Sequence, residues 1–493
     1  MLLSQPKNHR LYILPFSNPD NFTSLSNTSL HHFTSLSIAV RTLPAFQMTQ
    51  LDIFTSLPTS LACNILRDWL RLKSVVALDS AYCCKATRTS FEELVQCDEY
   101  FIREKFVFPL NSSDYYALSK FGGKLRCMDI KKNLTNMQAD SVAQHCHRLT
   151  HVYLQGPWCS PTVLCATLNV NKDIEILNIN FDKGLSEHKH MLSFAGISLP
   201  KLKSLALTRY TCENVHIVDS LQMIKCIVRL NLWGATLTKL TVFAVQRLCP
   251  NLISLGLAYT RIDAPWGDDA WCELTVACSH ISHLDIDYAL YDGQGVGVTD
   301  AGILAVVQNL KGLQTLSIVR NHRLTYASSV HIYTHCANTL HTLRLDCNSA
   351  RFPNNLDGVS AFNTLFERCT RLRYLYFCDW HDDITRDVGI TLPASTLRNL
   401  TTLILIGNVV CERILVNIRN YGNNLQHLAL FNRKIDNVCP SLLEGCPKLV
   451  GLYIDPIYPS HRSTIDLSVY KRDGLIVGST LPEHLLGFNV LDI

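Results

Sequence analysis

The amino-acid sequence predicts an α/β fold, a right-handed solenoid in which short parallel strands alternate with helical stretches. Three observations predict this fold: an apolar pattern that returns about every 27 residues, helical spacing of apolar residues between its copies, and a cysteine placed just before many of them. The chain has 493 residues and 47% of them are apolar. It is therefore long and apolar enough to bury a large core.

The strands are predicted by the pattern L-x-x-L-x-L, whose first apolar residue we call the anchor. It occurs in "LCPNLISLGL" (248–257) and again in "GCPKLVGLYI" (445–454). In a strand, the residues three and five after the anchor (+3 and +5) lie on one face, and those at +2, +4 and +6 lie on the other. The spacing between anchors runs from 24 to 32 residues, and the anchors are Leu125, Leu149, Ile174, Leu202, Ile227, Leu252, Ile281, Leu313, Leu340, Leu372, Leu400, Leu425 and Leu449.

The helices are predicted by the text between the strands. The stretch "TLTKLTVFAVQRLC" (236–249), for example, has apolar residues near helical spacing. One strand and one helix cannot bury their own apolar faces, whereas stacked copies form a continuous core with a parallel sheet along one side. The repeat therefore predicts a solenoid over residues 120–455.

A cysteine lies three residues before five of the anchors and four before a sixth: Cys146, Cys249, Cys278, Cys369 and Cys446, then Cys336. These cysteines are one repeat apart and form no C-x-x-C pair, whereas a structural zinc site needs converging ligands. A small, weakly polar side chain suits the tight corner between helix and strand. We predict packing for them, free thiols, and a reducing compartment, the cytoplasm or the nucleus.

This pattern resembles the leucine-rich repeat family, in its cysteine-containing subclass. Asn321, Asn348 and Asn408 lie eight residues after their anchors, where the family places an asparagine that hydrogen-bonds the turn backbone. The resemblance implies a horseshoe whose concave face is formed by the +2, +4 and +6 residues and binds partners.

The predicted concave face is rich in aromatic and charged side chains, the types that anchor protein interfaces. Both signs of charge occur, which favours a protein partner over nucleic acid. The alternative is that aromatic residues simply favour strands. The candidate contact residues are Tyr153, Arg229, Trp233, His283, Asp285, Arg344, Tyr374, Tyr376, Phe431 and Tyr453.

Residues 48–110 predict a separate helical domain. Pro58 suits a first helical turn, and Leu61, Ile65 and Trp69 recur every four residues. The segment resembles an F-box, which implies docking on a Skp-family adaptor and a cullin scaffold. The family's acidic residue after Leu-Pro is absent here, and the alternative is a helical cap on the first repeat. The candidate adaptor contacts are Leu57, Pro58, Leu61, Ile65, Leu66, Leu70, Val75 and Leu78.

The two ends of the chain differ from the repeats. Residues 1–47 are rich in Ser, Thr, Asn and Phe, a composition with some likeness to a transit peptide. We favour the alternative of a poorly ordered extension upstream of Met48. Residues 456–493 are predicted to form a C-terminal cap or tail.

The sequence offers no enzyme motif and predicts no cofactor. The glycines in "GQGVGVTDAGILAVV" (293–307) fail the G-x-G-x-x-G spacing of a dinucleotide site. His147 and His151 stand four apart, but the segment crosses from helix to strand, so that spacing does not predict a metal site. The net charge of +4 and the lack of an 18-residue apolar run give no reason to expect nucleic acid or a membrane.

The lack of an enzyme motif predicts a non-catalytic protein. The resemblances imply a substrate-recognition adaptor of an SCF-type ubiquitin ligase, with a target protein on the concave face. The alternative is a scaffold or regulator that binds a partner without any ligase.

Overall fold

The computed structural model describes residues 60, 62–63, 89, 91, 93, 106–108, 118–130, 136–155, 161–180, 197–209, 221, 226–237, 239–258, 260–262, 267–287, 298–319, 321, 323–347, 356–379, 389–407, 410–431, 441–455, 475–478 and 482. The chain divides into two compact units, Met1–Glu104 and Lys105–Ile493. In the part of the chain that is described, no helix has the length and apolar character needed to cross a membrane.

Over its described residues, the second unit is built on one 15-stranded sheet in which every pairing is parallel and neighbours follow chain order. A short second sheet pairs β7 (Thr236–Leu237) with β9 (Arg261–Ile262). The strands of the large sheet are β1 (Phe106–Phe108), β2 (Cys127–Ile130), β3 (His151–Gln155), β4 (Ile176–Asn180), β5 (Ser204–Thr208), β6 (Arg229–Asn231), β8 (Ser254–Gly256), β10 (His283–Asp285), β11 (Thr315–Ile318), β12 (Thr342–Cys347), β13 (Tyr374–Asp379), β14 (Thr402–Gly407), β15 (His427–Phe431), β16 (Gly451–Asp455) and β17 (Ile476–Gly478).

Helices alternate with the strands, as the repeat predicts. A parallel pair needs a crossover connection, and a helix returns the chain to the start of the next strand. The described helices of this unit, beside one 3-10 turn at Gly122–Lys124, are Asn136–His145, Pro161–Val170, Lys239–Leu248, Asp268–Ala277, Asp300–Asn309, Tyr326–Cys336, Leu356–Arg368, Ala394–Leu397, Glu412–Tyr421 and Ser441–Gly445. Strands and helices in this order along a parallel sheet are the arrangement of a repeat solenoid.

The L-x-x-L-x-L pattern accounts for the core. All thirteen anchors are buried, as are the apolar residues at +3 and +5 of every copy, and none is more than 4% exposed. The helices cover that face of the sheet: Phe362 and Phe366 of one helix contact the +5 residue Phe377 edge-on, with ring centroids 5.3 and 5.4 Å apart. Burying one leucine side chain stabilises the fold by about 1.5–3 kcal/mol. The burial of every copy confirms that the pattern forms the core.

The sheet extends beyond the predicted repeats at both ends. β1 lies within the segment predicted as helical, 48–110, and it pairs with β2. β17 lies within the predicted tail and pairs with β16. The short sequences of β1 (FVF) and β17 (IVG) suit a strand, because aromatic and β-branched residues favour extended backbone, but neither has the spacing that defines an anchor.

The six repeat cysteines are buried at the corners between helix and strand, which confirms their predicted packing role. The thiol of Cys278 lies 3.4 Å from the backbone carbonyl oxygen of Cys249. The thiol of Cys446 lies 3.9 Å from the backbone carbonyl oxygen of Ile418. Burial raises the pKa of the Cys146, Cys249, Cys336 and Cys369 thiols to about 12. These thiols therefore stay protonated at neutral pH and are poor nucleophiles.

The turn asparagine of the family pattern behaves differently here. Asn348 and Asn408 lie outside the described residues. Asn321 is described, and its buried Nδ2 has no hydrogen-bond partner among the described residues. Asn171 instead occupies the corner position of one repeat, three residues before its anchor. Its side chain accepts from the Leu149 amide at 2.8 Å and donates to the Cys146 carbonyl at 2.8 Å. The amide thus joins two repeats at a corner where six other repeats have a thiol.

Candidate functional site

The candidate site is the face of the sheet opposite the core leucines, which we call the inner face. The strand register aligns equivalent positions of successive repeats, so that Asp285 pairs with Ser317, Ser317 with Arg344, and Arg344 with Tyr376. We call this line of +4 residues the central row. From β2 to β16 it consists of Asp129, Tyr153, Asn178, Ala206, Asn231, Gly256, Asp285, Ser317, Arg344, Tyr376, Ile404, Ala429 and Tyr453.

The structure brings all ten predicted contact residues to the +2, +4 and +6 positions of one sheet, but it does not expose them equally. Seven are partly exposed: Tyr153, Arg229, Trp233, His283, Arg344, Tyr374 and Phe431. Asp285, Tyr376 and Tyr453 are buried, with 5%, 7% and 3% of their surface exposed. The expectation that all ten are surface residues therefore needs correction for these three. On the adjacent strands, their partners are Gly256 and Ser317 for Asp285, Arg344 and Ile404 for Tyr376, and Ala429 and Gly478 for Tyr453.

Arg344 and three neighbouring residues form a polar cluster in the middle of the sheet. We call it the Arg344 cluster, and its members are Asp285, Asp287, Ser317 and Arg344. Asp287 Oδ2 lies 2.9 Å from Arg344 Nη1. Asp287 Oδ1 accepts from the Ser317 hydroxyl and from the Val319 amide, each at 2.6 Å. Charge-assisted hydrogen bonds of this kind are the strong ones, so Asp287 is held from three sides.

Asp285 is held much less firmly. Its Oδ1 accepts from the Asp287 amide at 3.1 Å. Burial raises the pKa of Asp285 well above its ordinary value, and the neighbouring Asp287 carboxylate raises it further, while Arg344 partly offsets both effects. Burial also raises the pKa of Asp287, but Arg344, the Ser317 hydroxyl and the Val319 amide oppose that change. Of the two carboxyl groups, Asp285 is therefore the one that holds a proton most readily.

Arg344 also connects the charged cluster to aromatic residues on β13. Its guanidinium carbon lies 4.9 Å from the ring centroid of Tyr376, a cation–π distance. Burial raises the pKa of the neighbouring Tyr374 to about 12, so this phenol stays neutral. The guanidinium thus has a carboxylate on one side and an aromatic ring on the other.

Apolar side chains cover the inner face of β13–β16, and we call this group the aromatic cluster. Its buried members are Val319, Tyr376, Cys378, Ile404, Ile406, Ala429 and Tyr453, with Tyr374 and Phe431 packed against them. Gly451 leaves room for it: an added Cβ would stand 2.8 Å from both the Tyr453 hydroxyl oxygen and His427 Nδ1. The cluster is a second, smaller core on the inner face of the sheet.

A second cation–π pair lies on the inner face toward the N-terminal end of the sheet. The Arg209 guanidinium lies 4.9 Å from the Trp233 ring centroid, and the Arg209 amide donates to the Trp233 carbonyl. Arg209 has φ 59°, a left-handed conformation that a bulky residue seldom adopts. Sequence reasoning missed Arg209, since it follows its strand at +7, outside the positions taken as the face. Ser317 was missed as well, although it stands at +4 and the same rule includes it.

The predicted adaptor contacts Leu57, Pro58, Leu61, Ile65, Leu66, Leu70, Val75 and Leu78 lie outside the described residues. In the same unit, the described residues Ala62, Cys63 and Phe91 are buried in helical segments, and Ser60, Thr89 and Glu93 are exposed. The adaptor-binding role of this segment stays a prediction.

The chemistry that the inner face offers is recognition by charge, stacking and hydrogen bonds. Among the described residues, no group of three or more His, Cys, Asp or Glu side chains is placed to hold a metal ion. His283 is neutral at pH 7, because burial, Arg229 and His341 all lower its pKa, and it shares a 3.0 Å hydrogen bond with Thr315.

Comparisons with known proteins add little to this picture. No protein-family model matches the chain, and no curated protein matches it. Among solved structures, the crystal structure of the Rad7 and Elc1 complex in yeast aligns over 92% of this chain and 98% of that chain, at 15% sequence identity and a TM-score of 0.46. The description of the fold accordingly rests on the strand register and the buried pattern of this chain.

Proposed function

We propose that this chain is the substrate-recognition subunit of an SCF-type ubiquitin ligase. In this proposal, the inner face binds a target protein, and the N-terminal segment binds a Skp-family adaptor and, through it, a cullin scaffold. The observation that carries the target-binding half is the inner face itself. Three rows of side chains run in register along the sheet, with partly exposed Tyr, Trp, Arg and His among them.

The composition of these rows favours a protein target. Interfaces between proteins are enriched in Tyr, Trp and Arg at their centres. On the inner face, Arg229 begins the short strand β6, Trp233 lies two residues after its end, and the Arg209 side chain stacks on Trp233. The rows carry both signs of charge, unlike the basic surface that a nucleic-acid partner requires.

The adaptor-binding half rests on the resemblance of residues 57–78 to an F-box. A protein that holds both an adaptor and a target catalyses nothing itself. It raises the effective concentration of target lysines near the conjugating enzyme. This role is consistent with a chain whose buried thiols are held protonated and whose inner face offers recognition groups.

Co-elution with a purified Skp-family adaptor tests the adaptor half. We expect the full chain to co-elute with the adaptor in size-exclusion chromatography, and Leu61→Asp or Ile65→Asp to abolish this. The matched control is Leu240→Asp, the same change at a residue that is 64% exposed on a repeat helix, which should leave co-elution intact. If the wild-type chain never co-elutes, the ligase proposal is wrong, and a non-ligase scaffold or regulator takes its place.

A further inference from the structure

We propose that the Arg344 cluster is the receiving site for one basic side chain, a lysine or an arginine, of the target polypeptide, with Asp285 as the carboxylate that pairs with it. The inference deepens the proposed function, because it rests on the inner face being where the target binds. It adds the chemical class of the residue that the target must supply.

The two carboxyl groups of the cluster have unequal numbers of partners. Asp287 uses both carboxylate oxygens, one toward Arg344 and the other toward Ser317 and Val319. Asp285 receives only the Asp287 amide at Oδ1, and within the described part of the chain no ion pair holds it. Yet Asp285 is 5% exposed, and a carboxylate buried to that degree without a cation is costly.

Arg344 has a hydrogen-bond donor that the cluster does not use. Its Nε is buried and has no hydrogen-bond partner among the described residues. The cluster therefore has an unused acceptor at Asp285 and an unused donor at Arg344. A basic residue within a polypeptide supplies what both lack: a cation for the carboxylate, and carbonyl oxygens nearby for the Nε–H. A small amine or a metal ion supplies only the first.

The charges around Asp285 do not balance when Asp285 is ionised. Two carboxyl groups face one guanidinium, so the cluster carries one uncompensated negative charge when both are ionised. The titratable or charged groups packed nearby do not remove it. His283 is neutral at pH 7, Tyr374 and Tyr376 are phenols, and Arg344 is already paired with Asp287. Arg229 lies two strands away, on β6.

Aromatic rings complete the site. Tyr376 already stacks on the Arg344 guanidinium, and the partly exposed Tyr374 lies two residues before it on the same strand. Aromatic faces attract lysine and arginine side chains by about 0.5–2 kcal/mol, depending on exposure. A basic side chain that reaches Asp285 would therefore lie beside Arg344 without clashing in charge, because Asp287 neutralises that guanidinium.

The pairing has a proton-linked consequence. In the free protein, burial and the neighbouring Asp287 raise the pKa of Asp285 well above its ordinary value, so Asp285 takes up a proton more readily than an exposed aspartate does. When a basic side chain pairs with it, Asp285 ionises and its proton passes to the buffer. Binding that releases a proton strengthens as the pH rises, up to the pKa of Asp285 in the free protein. The other titratable groups that face the site are Arg344, Asp287, His283 and Tyr374.

The test uses a phage-displayed library of random dodecapeptides, selected on the immobilised full chain. We expect selected peptides to be enriched in lysine or arginine. Replacing that residue by norleucine or by the uncharged analogue citrulline should weaken binding at least tenfold. Asp285→Asn should weaken binding of the original peptide equally, and calorimetry in two buffers of different ionisation enthalpy should show proton release on binding to the wild type and none on binding to the variant.

The matched control is Asp173→Asn, the same substitution at a half-exposed aspartate that pairs with Lys201 at 2.6 Å, and it should bind as the wild type does. Thermal unfolding of Asp285→Asn verifies that the variant is folded. A selection that returns no peptides, or peptides without basic residues, overturns the proposal, as does equal binding by Asp285→Asn. Adaptor co-elution is measured separately, so a failure here leaves the ligase proposal standing, and the reverse also holds.

Discussion

The inner face has two halves that share one backbone scaffold and differ in what their side chains do. From β3 to β12, which we call the polar half, Tyr153, Arg229, Trp233 and His283 keep part of their surface exposed. We call the part from β13 to β16 the aromatic half. There, side chains on the same rows pack on one another in the aromatic cluster. The same strand position thus supplies contact residues in one half and a second core in the other.

Arg344 stands at the boundary between the halves. It pairs with Asp287 toward the polar half and stacks on Tyr376 toward the aromatic half. The comparison teaches that position in the repeat determines which face a side chain occupies, while the neighbours across the strands determine whether it is available to a partner. Substitutions of the partly exposed side chains in the polar half should therefore weaken binding with little loss of stability, whereas substitutions of the buried side chains in the aromatic half should lower stability.

The largest effect is expected from Tyr376→Ala, which removes a buried ring and the stacking partner of Arg344. Truncating a buried aromatic residue costs about 3–5 kcal/mol in the free energy of unfolding. Tyr153→Ala, at the same row position in the polar half, should cost about 1 kcal/mol or less, because this side chain is partly exposed. Urea denaturation measures both, and equal losses would contradict the division into halves.

Asp287→Asn should be nearly as damaging. It removes the charge that Arg344 needs, and breaking a buried pair from one side costs about 3 kcal/mol or more. Asp173→Asn, which breaks the exposed pair with Lys201, should cost less than about 1 kcal/mol. Thermal denaturation of the two variants compares a buried with an exposed ion pair. Equal shifts would mean that the Arg344 cluster contributes no more than a surface pair.

Asp285→Asn should have the opposite sign and raise stability at pH 7. Because the folded state holds the Asp285 proton more tightly than the unfolded chain does, stability falls as the pH rises from the ordinary pKa of aspartate through the raised folded value. The amide removes this loss, so the variant should be more stable than the wild type at pH 7. The gain should vanish near pH 3, where both states are protonated. Unfolding curves at pH 3 and pH 7 check the sign, and a loss at pH 7 would contradict it.

The smallest effect on stability is expected from Arg209→Gly in the polar half. Glycine relieves the left-handed backbone at φ 59°, which costs a bulky residue about 1–2 kcal/mol, while the contact with Trp233 is lost. The net change should stay below about 1 kcal/mol. Thr208→Gly, one residue earlier in extended backbone, gains no such relief and should cost about 1 kcal/mol. The denaturation midpoint of Thr208→Gly should therefore be lower than that of Arg209→Gly. The reverse order would contradict the prediction.

The sequence predicts the register of the inner face well, because one apolar pattern defines where every strand begins. The burial of Tyr376 and Tyr453 could have been anticipated only by comparing neighbouring repeats, where Ile404 and Ala429 stand beside them. Reading each strand alone hides such contacts, since a side chain on a sheet touches residues that are about 25–30 positions away in the chain.

Other features leave no signal of this kind. β1 and β17 have no anchor, and their pairing depends on an adjacent strand that offers unpaired backbone groups. The left-handed Arg209 follows from the turn that joins its repeat to the next, where glycine would be the expected residue. The pairing of Asp287 with Arg344 crosses two strand gaps, so neither residue predicts it alone.

The central claim is that the polar half of the inner face holds the target. Affinity purification with quantitative mass spectrometry tests it most directly, on the wild-type chain, on Arg229→Ala with Trp233→Ala, and on the helix-face control Leu240→Ser with Phe243→Ser, whose side chains are 64% and 54% exposed. The account predicts that the inner-face variant loses the target protein and keeps the adaptor, while the control keeps both. A target that remains bound to the inner-face variant, or is lost from the control, would contradict it.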